Sequence, residues 1–458
     1  MKIKKKVSAM FKRSIWNSLM AWKNSQKHKP LILRGARQVG KTTIVNEFGK
    51  VFDNYLYYNL EQHENAQLFE AFIPLDDLIN LLFARRRKTK KVGSTLLFID
   101  EIQNSPKAIS MLRYFYENHP EIHVIAAGSL LENIVDVKES FPVGRVEYLA
   151  LHPCSFREFL MALDRDDLLY FIDNPSSSIS MHQELMSLFN QYTIIGGMPE
   201  VVQEYAIKRD IFAIDSIYRS LLQSYQDDVE KYVKGNKLTD VVRYILKQGW
   251  QFAGQIITLG NFGNSSYNAK DVGNAFRLLE KAMLLEMVYP TTATEIPAMP
   301  ELKRMPKLIW FDTGLVNFAA GVRTEIIGAL DIMDVWKGHI AEQIVAQELL
   351  TLNDYIDQER CFWIKAGGGG SAEIDFIWRN GAQLVPIEVK AGHNSHLRSI
   401  HSFIDASKVS VAVRVWSGPY SIDNVCTTIK KKPFRLINLP FYLVGNIDRI
   451  VNEQPLTS

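Results

Sequence analysis

With 458 residues and a formal charge of +3, the chain is longer than one hydrophobic core usually supports, so roughly two to four domains are expected. Apolar residues make up 47% and charged residues 22%, an ordinary soluble composition, and no apolar run approaches the roughly 18 residues of a membrane helix. The near balance of charge over so long a chain gives no argument for a polyanionic partner. Cys154, Cys361 and Cys426 have neither disulfide-framework nor metal-ligand spacing and read as packing thiols.

The start, Met1 to Lys6, is basic, but no apolar signal core follows, so a cytoplasmic protein is expected. A short strand-like run at 31–34 leads into Gly35-Ala36-Arg37-Gln38-Val39-Gly40-Lys41-Thr42-Thr43, which fits the phosphate-loop pattern at every fixed position. Gly35 and Gly40 allow turns closed to larger residues, so that successive N–H groups can cradle phosphate oxygens at a helix start. Lys41 is expected on the β- and γ-phosphates and the Thr42 hydroxyl on magnesium. ATP and Mg2+ are therefore the expected ligands.

Further runs at 55–60, 95–100 and 122–127 alternate with helical stretches, the pattern of a parallel sheet covered on both faces. Leu96 to Glu101 is an apolar run ending in two carboxylates, the form of a Walker B strand. Asp100 is expected to hold the magnesium through its water shell and Glu101 to act as general base. The plain alternative is two acids capping a strand end. Just before this strand, the basic run from Arg85 to Lys91 is a candidate for nucleic-acid phosphates, although such runs are commonly solvated loops. Ser129, after the run at 122–127, is expected to sense the γ-phosphate or the attacking water. Arg145 is either an arginine acting on transition-state charge in cis or in trans, worth roughly a thousandfold or more in rate, or a surface residue paired with Glu147 or Glu139.

From Ser155 to about Lys234 the pattern turns helical, with apolar three- and four-residue spacing at 184–194 and 211–225. Gly196-Gly197-Met198-Pro199 breaks it, either as an inert turn or to set backbone against the adenine. Short helices follow over 238–290, then an amphipathic stretch at 268–282 and a strand at 284–289. That order suits a winged helix, whose second helix would carry Lys270, Asn274, Arg277 and Lys281 toward a groove. The helix holds no dense basic face, so a packing role is favoured over DNA binding.

In the last third, Glu373 to Trp378 and Val385 to Lys390 read as paired strands around an Arg379-Asn380-Gly381-Ala382 turn. Side chains two apart share a face, so Glu388 and Lys390 point together, with Asp375 opposite. Glu342, on a helical stretch at 338–349, supplies a third carboxylate. Such a set can bind a second divalent metal, Mg2+ or Mn2+, with Lys390 helping to activate water for phosphodiester cleavage. His393, His396 and His401 follow, but nothing has ligand spacing with them.

Glu342, Asp375, Glu388 and Lys390 resemble the PD-(D/E)xK nucleases, with Ile374 where that motif carries proline. Over nearly the whole length, the segments GARQVGKT, LLFIDEIQ, GSLL, LHPCSFREFL, GGMPE, KLIWFDTGL, EIDFIW and PIEVKAG resemble prokaryotic AAA-type ATPases of the STAND-like archaeal type with a C-terminal domain of unknown function. The resemblance implies an α/β fold in four parts: a P-loop ATPase core with a parallel sheet at 1–152, a helical lid at 153–235, a winged-helix-like part at 236–312 and a PD-(D/E)xK-like domain at 313–458. It also implies that Gly197 to Pro199 forms a nucleotide-adjacent turn. The function expected is ATP hydrolysis coupled to a nuclease-like, DNA-associated domain; the alternative is a nucleotide-switched scaffold whose C-terminal domain is inert. DNA, a second copy of the chain and another protein are the candidate partners, and no membrane is expected.

Overall fold

The protein is described by a computed structural model covering residues 11–71, 73–89, 94–128, 142, 144–233, 235–322, 339–354, 360–366, 372–390 and 397–453. The chain divides into two compact units. The first comprises Met1–His152 with Lys281–Met283 and Asn353–Asp357; the second comprises Pro153–Glu280, Leu284–Leu352 and Gln358–Ser458.

Among the described residues, the first unit holds five parallel strands: β1 (Leu31–Arg34), β2 (Asn54–Asn59), β3 (Thr95–Asp100), β4 (Ile122–Ala127) and β5 (Glu147–Ala150). Their order is β2-β3-β4-β1-β5. Every residue of β3 is buried, as a parallel strand covered on both faces requires. Side chains of one parity, Leu56, Tyr58, Leu97, Ile99, Val124 and Ala126, pack in one core with Leu68, Leu78, Leu82, Leu112 and Phe115 from three helices. The last of these, Pro106–Asn118, starts on Ser105, whose Oγ accepts from the Ala108 amide (3.1 Å), with proline in its first turn. β1 and β3 lie either side of β4 and run the same way, which brings their C-terminal ends to one crevice, the usual ligand position in such sheets. β5 carries no apolar run long enough to have been expected from its pattern.

The second unit begins with helices Phe156–Ala162, His182–Ile195, Pro199–Lys208 and Asp215–Tyr232. Its sheet has nine strands among the described residues: β6 (Gln255–Ile256), β7 (Leu285–Thr291), β8 (Lys307–Trp310), β9 (Cys361–Ile364), β10 (Glu373–Asn380), β11 (Gln383–Lys390), β12 (Val411–Trp416), β13 (Ser421–Cys426) and β14 (Pro433–Pro440). The order is β13-β14-β12-β11-β10-β9-β7-β8-β6. Parallel pairing of β7 with β9, Tyr289 opposite Cys361, makes one sheet run from the middle of the chain into its last third.

Helix His339–Leu350 is buried on nearly every side, and its polar residues each tie down another segment. The Gln343 amide brackets Trp310, accepting from its N (2.9 Å) and donating to its O (2.6 Å). Gln347 accepts from Thr313 N (2.7 Å), and Glu348 accepts from Phe156 N (2.9 Å) and from the Tyr192 hydroxyl (2.8 Å). Burial pushes the Glu348 carboxyl up to about 7 against those two donors.

The Gly-Gly break serves the same packing. Asp312 Oδ2 accepts from the Gly197 amide (2.6 Å), Oδ1 accepts from Leu315 N (2.8 Å), and the Gly197 carbonyl accepts from Cys154 N (2.6 Å). Gly196 sits at φ 72°, and a Cβ there would lie 2.6 Å from Asp312 Oδ1. Both backbone polar groups of Gly197 are engaged within this unit, its amide because a buried aspartate needs donors.

Candidate functional site

The phosphate loop joins β1 to helix Lys41–Phe48, and its backbone is held in conformations that the sequence foretold. Gly40 lies in the left-handed region at φ 94°, and a Cβ on Gly35 would meet the Leu151 carbonyl oxygen at 2.4 Å. Gln38 also has positive φ, 65°, a strained position of the kind functional loops carry. Lys41 is only 7% exposed, and its ammonium donates to the carbonyls of Gly35 (2.7 Å) and Ala36 (2.9 Å). Burial lowers this ammonium to about 8, with Glu101 and Asp100 opposing and Arg37 assisting.

At the end of β3, Asp100 Oδ2 accepts from the Thr42 hydroxyl (2.8 Å) and from the Tyr57 hydroxyl (3.2 Å), while Oδ1 accepts from the Glu101 amide (3.1 Å). Glu101 turns the chain at φ 53° and takes a hydrogen bond from the Gln103 side-chain amide. Burial raises both carboxyls above their usual range. Thus Lys41, Thr42, Asp100 and Glu101, predicted from two separate motifs, form one cluster.

Three neighbours were not foreseen. Tyr57 reaches Asp100 because β2 pairs with β3 in parallel, Asn59 opposite Asp100; its place in the alternating run was the available signal. Arg13, buried, donates to the carbonyls of Val39 (3.2 Å) and His152 (2.6 Å) and so braces the phosphate loop from behind. Gln103 holds Glu101.

The family model of an AAA domain matches residues 27–160. Over these residues the chain carries an AAA domain. Models of two domains of unknown function match residues 186–326 (DUF8612) and 337–431 (DUF4143). No curated protein matches the chain. Among solved structures it is similar to a Walker-type ATPase of Pyrococcus abyssi, at 13% identity, 68% of this chain, 96% of that one and a TM-score of 0.41. It is also similar to RuvB of Thermotoga maritima (16%, 60%, 87%, 0.27) and to Drosophila ORC bound to DNA (15%, 57%, 65%, 0.25).

Within the AAA domain, Arg145 Nε donates to Glu117 (3.0 Å), a partner not among the acids expected for its surface reading; of those, Glu139 lies outside the described residues. Ser129 lies outside the described residues, as do His393 and His396. In the basic run, the Arg86 guanidinium stacks over the Tyr58 ring at 4.4 Å and donates to the Tyr57 carbonyl.

Beyond the AAA domain, the predicted hairpin forms, with β10 and β11 antiparallel and Gly381 at φ 56° in the turn. It brings together the four predicted residues. Asp375 Oδ2 accepts from Val389 N (2.8 Å), Lys390 Nζ lies 2.6 Å from Glu388, and Glu342 comes in from helix His339–Leu350. Burial raises the Glu388 carboxyl to about 8 and that of Glu342 to about 7, each helped by Asp375.

A fifth member was missed. Lys307, at the start of β8, is 2% exposed and places its ammonium 2.6 Å from Glu342, 3.3 Å from Glu373 and 3.7 Å from Asp375. Among the described residues no group of three or more His, Cys, Asp and Glu is arranged to hold a metal ion. His401 accepts from the Thr428 amide (3.1 Å). Cys154 and Cys361 are buried and Cys426 is exposed. No helix among the described residues is long and apolar enough to cross a membrane.

Proposed function

We propose that the protein is a magnesium-dependent ATPase whose nucleotide state is coupled to its second unit, with DNA as the partner. The observation that carries this reading is the 2.8 Å approach of the Thr42 hydroxyl to Asp100, beside a buried Lys41. A hydroxyl and a carboxylate supply the hard oxygen donors that Mg2+ prefers, and these two residues would hold it. When bound, the ion would neutralise charge on the β- and γ-phosphates. The amides from Ala36 to Thr43 orient the phosphates, Lys41 leaves its carbonyl partners for the phosphate oxygens, and Glu101 takes a proton from the attacking water. Tyr57 and Gln103 fix the two carboxylates in place.

Exposure of one helix face supports DNA as the partner over the packing role read from its sparse basic residues. Lys270, Asn274, Arg277 and Lys281 all stand on the solvent side of helix Ala269–Lys281, where ammonium and guanidinium groups can meet phosphates. The clustering of Glu342, Asp375, Glu388 and Lys390 supports a nuclease-like reading of the C-terminal part; Lys307 in their midst favours the inert alternative.

Phosphate release from ATP by the purified full chain, with and without duplex DNA, tests the reading. Turnover is expected to stop on chelation of Mg2+ and to change when DNA is added. A rate indifferent to DNA would remove DNA from the account, and absence of turnover under all conditions would overturn it.

A further inference from the structure

We propose that Lys307 is a built-in cation that occupies the centre of the carboxylate cluster formed by β10, β11 and helix His339–Leu350, so that this part of the protein works without a divalent metal.

Three carboxylates, Glu342, Glu373 and Asp375, surround one ammonium at 2.6, 3.3 and 3.7 Å. An ammonium has three N–H donors, and three acids from two different elements face them. A divalent ion needs those same oxygens, so it would have to displace the lysine or share the space with it.

Displacement is opposed by the way Lys307 is held. Its backbone is paired on both sides of β8, opposite Ile256 and Val288. Its ammonium stands over the rings of Phe362 (5.1 Å) and Phe376 (5.7 Å), which add attraction for a cation and wall it off from water. Sharing is opposed by Coulomb repulsion, which at roughly 4 Å is large wherever water is excluded. On the far side of the cluster, Lys390 already neutralises Glu388 at 2.6 Å. Two ammonium groups thus lie against oxygens that a metal would otherwise be called on to satisfy, while Glu388 Oε2 is buried without a hydrogen-bond partner.

The cluster therefore organises the sheet: β8, β10, β11 and helix His339–Leu350 are joined through one lysine and its acids. The DNA-cleaving chemistry that the four-residue motif suggested has no place for its metal.

Mn2+ titration by calorimetry tests this on the full chain without nucleotide, carrying Asp100→Asn so that the phosphate-loop site does not contribute. With Lys307 intact, no Mn2+ binding sensitive to a further Asp375→Asn change is expected. Lys307→Met keeps the apolar stem and removes the charge; it is expected to gain a Mn2+ site tighter by roughly a hundredfold or more, since a like charge about 4 Å away has gone. Thermal unfolding of that variant should then shift upward with Mn2+, unlike that of its parent. Binding in the Lys307 protein that vanishes with Asp375→Asn overturns the proposal, and this arm needs no Lys307 variant to fold. A folded Lys307→Met protein that gains no Mn2+ site overturns it as well.

Discussion

Replacing Glu101 by Gln is expected to lower ATP turnover by roughly 10²–10⁴-fold while leaving MgATP binding near that of the unaltered protein. The change keeps the shape of the side chain and its contact with Gln103, so the turn after β3 is not disturbed. It removes the ability to accept a proton from water, together with a charge that helps keep Lys41 protonated. Lys41, Thr42 and Asp100 remain in place, and the contacts proposed for them with phosphate and magnesium would supply the binding energy. Single-turnover kinetics alongside a nucleotide titration separates the two quantities. Turnover close to the unaltered rate would remove Glu101 from the role of general base, and a parallel loss of binding would mean that it acts through the loop's structure instead.

The largest effect on stability is expected from Asp312→Ala. Asp312 is fully buried and accepts from the amides of Gly197 and Leu315. Truncation leaves both amides without a partner, at about 1–3 kcal/mol each, and removes the cap of the helix that follows. A loss of about 3 kcal/mol or more is expected for the second unit, read from urea unfolding followed by a probe in that unit, because the whole chain need not unfold in one step. Asp312→Asn keeps an acceptor and should lose less. Burial pushes the Asp312 carboxyl from 3.8 up to about 6, with the amides pulling it down. Stability linked to it is therefore complete below about 3.8 and lost as pH rises through about 6, a slope that Asp312→Asn should lack. An Asp312→Ala protein as stable as its parent would show that water or another donor replaces the carboxylate.

What could be read from the chain follows a physical rule. The phosphate loop and the Walker B acids were legible because each depends on residues a few positions apart: the glycines of 35 and 40 fix a turn, and an apolar run ending in acids fixes a buried strand. The hairpin around Gly381 was legible for the same reason. Contacts between distant segments were not. Lys307 stands at the head of the apolar Lys-Leu-Ile-Trp strand, and nothing around it says that Glu342, Glu373 and Asp375 will close over its ammonium. The glycines at 196 and 197 announced a break, but their reason, an aspartate more than a hundred residues later, could not be inferred from the break itself. Arg145 was given, beside a catalytic alternative, acids near it in sequence as partners, whereas Glu117 at the end of helix Pro106–Asn118 lies alongside. Pairing of β7 with β9 likewise joins segments that no local periodicity connects.

Equilibrium titration of MgATP against the full chain and its Lys41→Ala variant tests the central claim most directly, since a buried ammonium in a glycine-rich turn, beside an acid that accepts from the Thr42 hydroxyl, is the foundation of the ATPase reading. Saturable binding by the unaltered protein, lost or weakened by roughly 10²-fold or more in the variant, is the result predicted. Equal affinity in the two proteins would contradict the account.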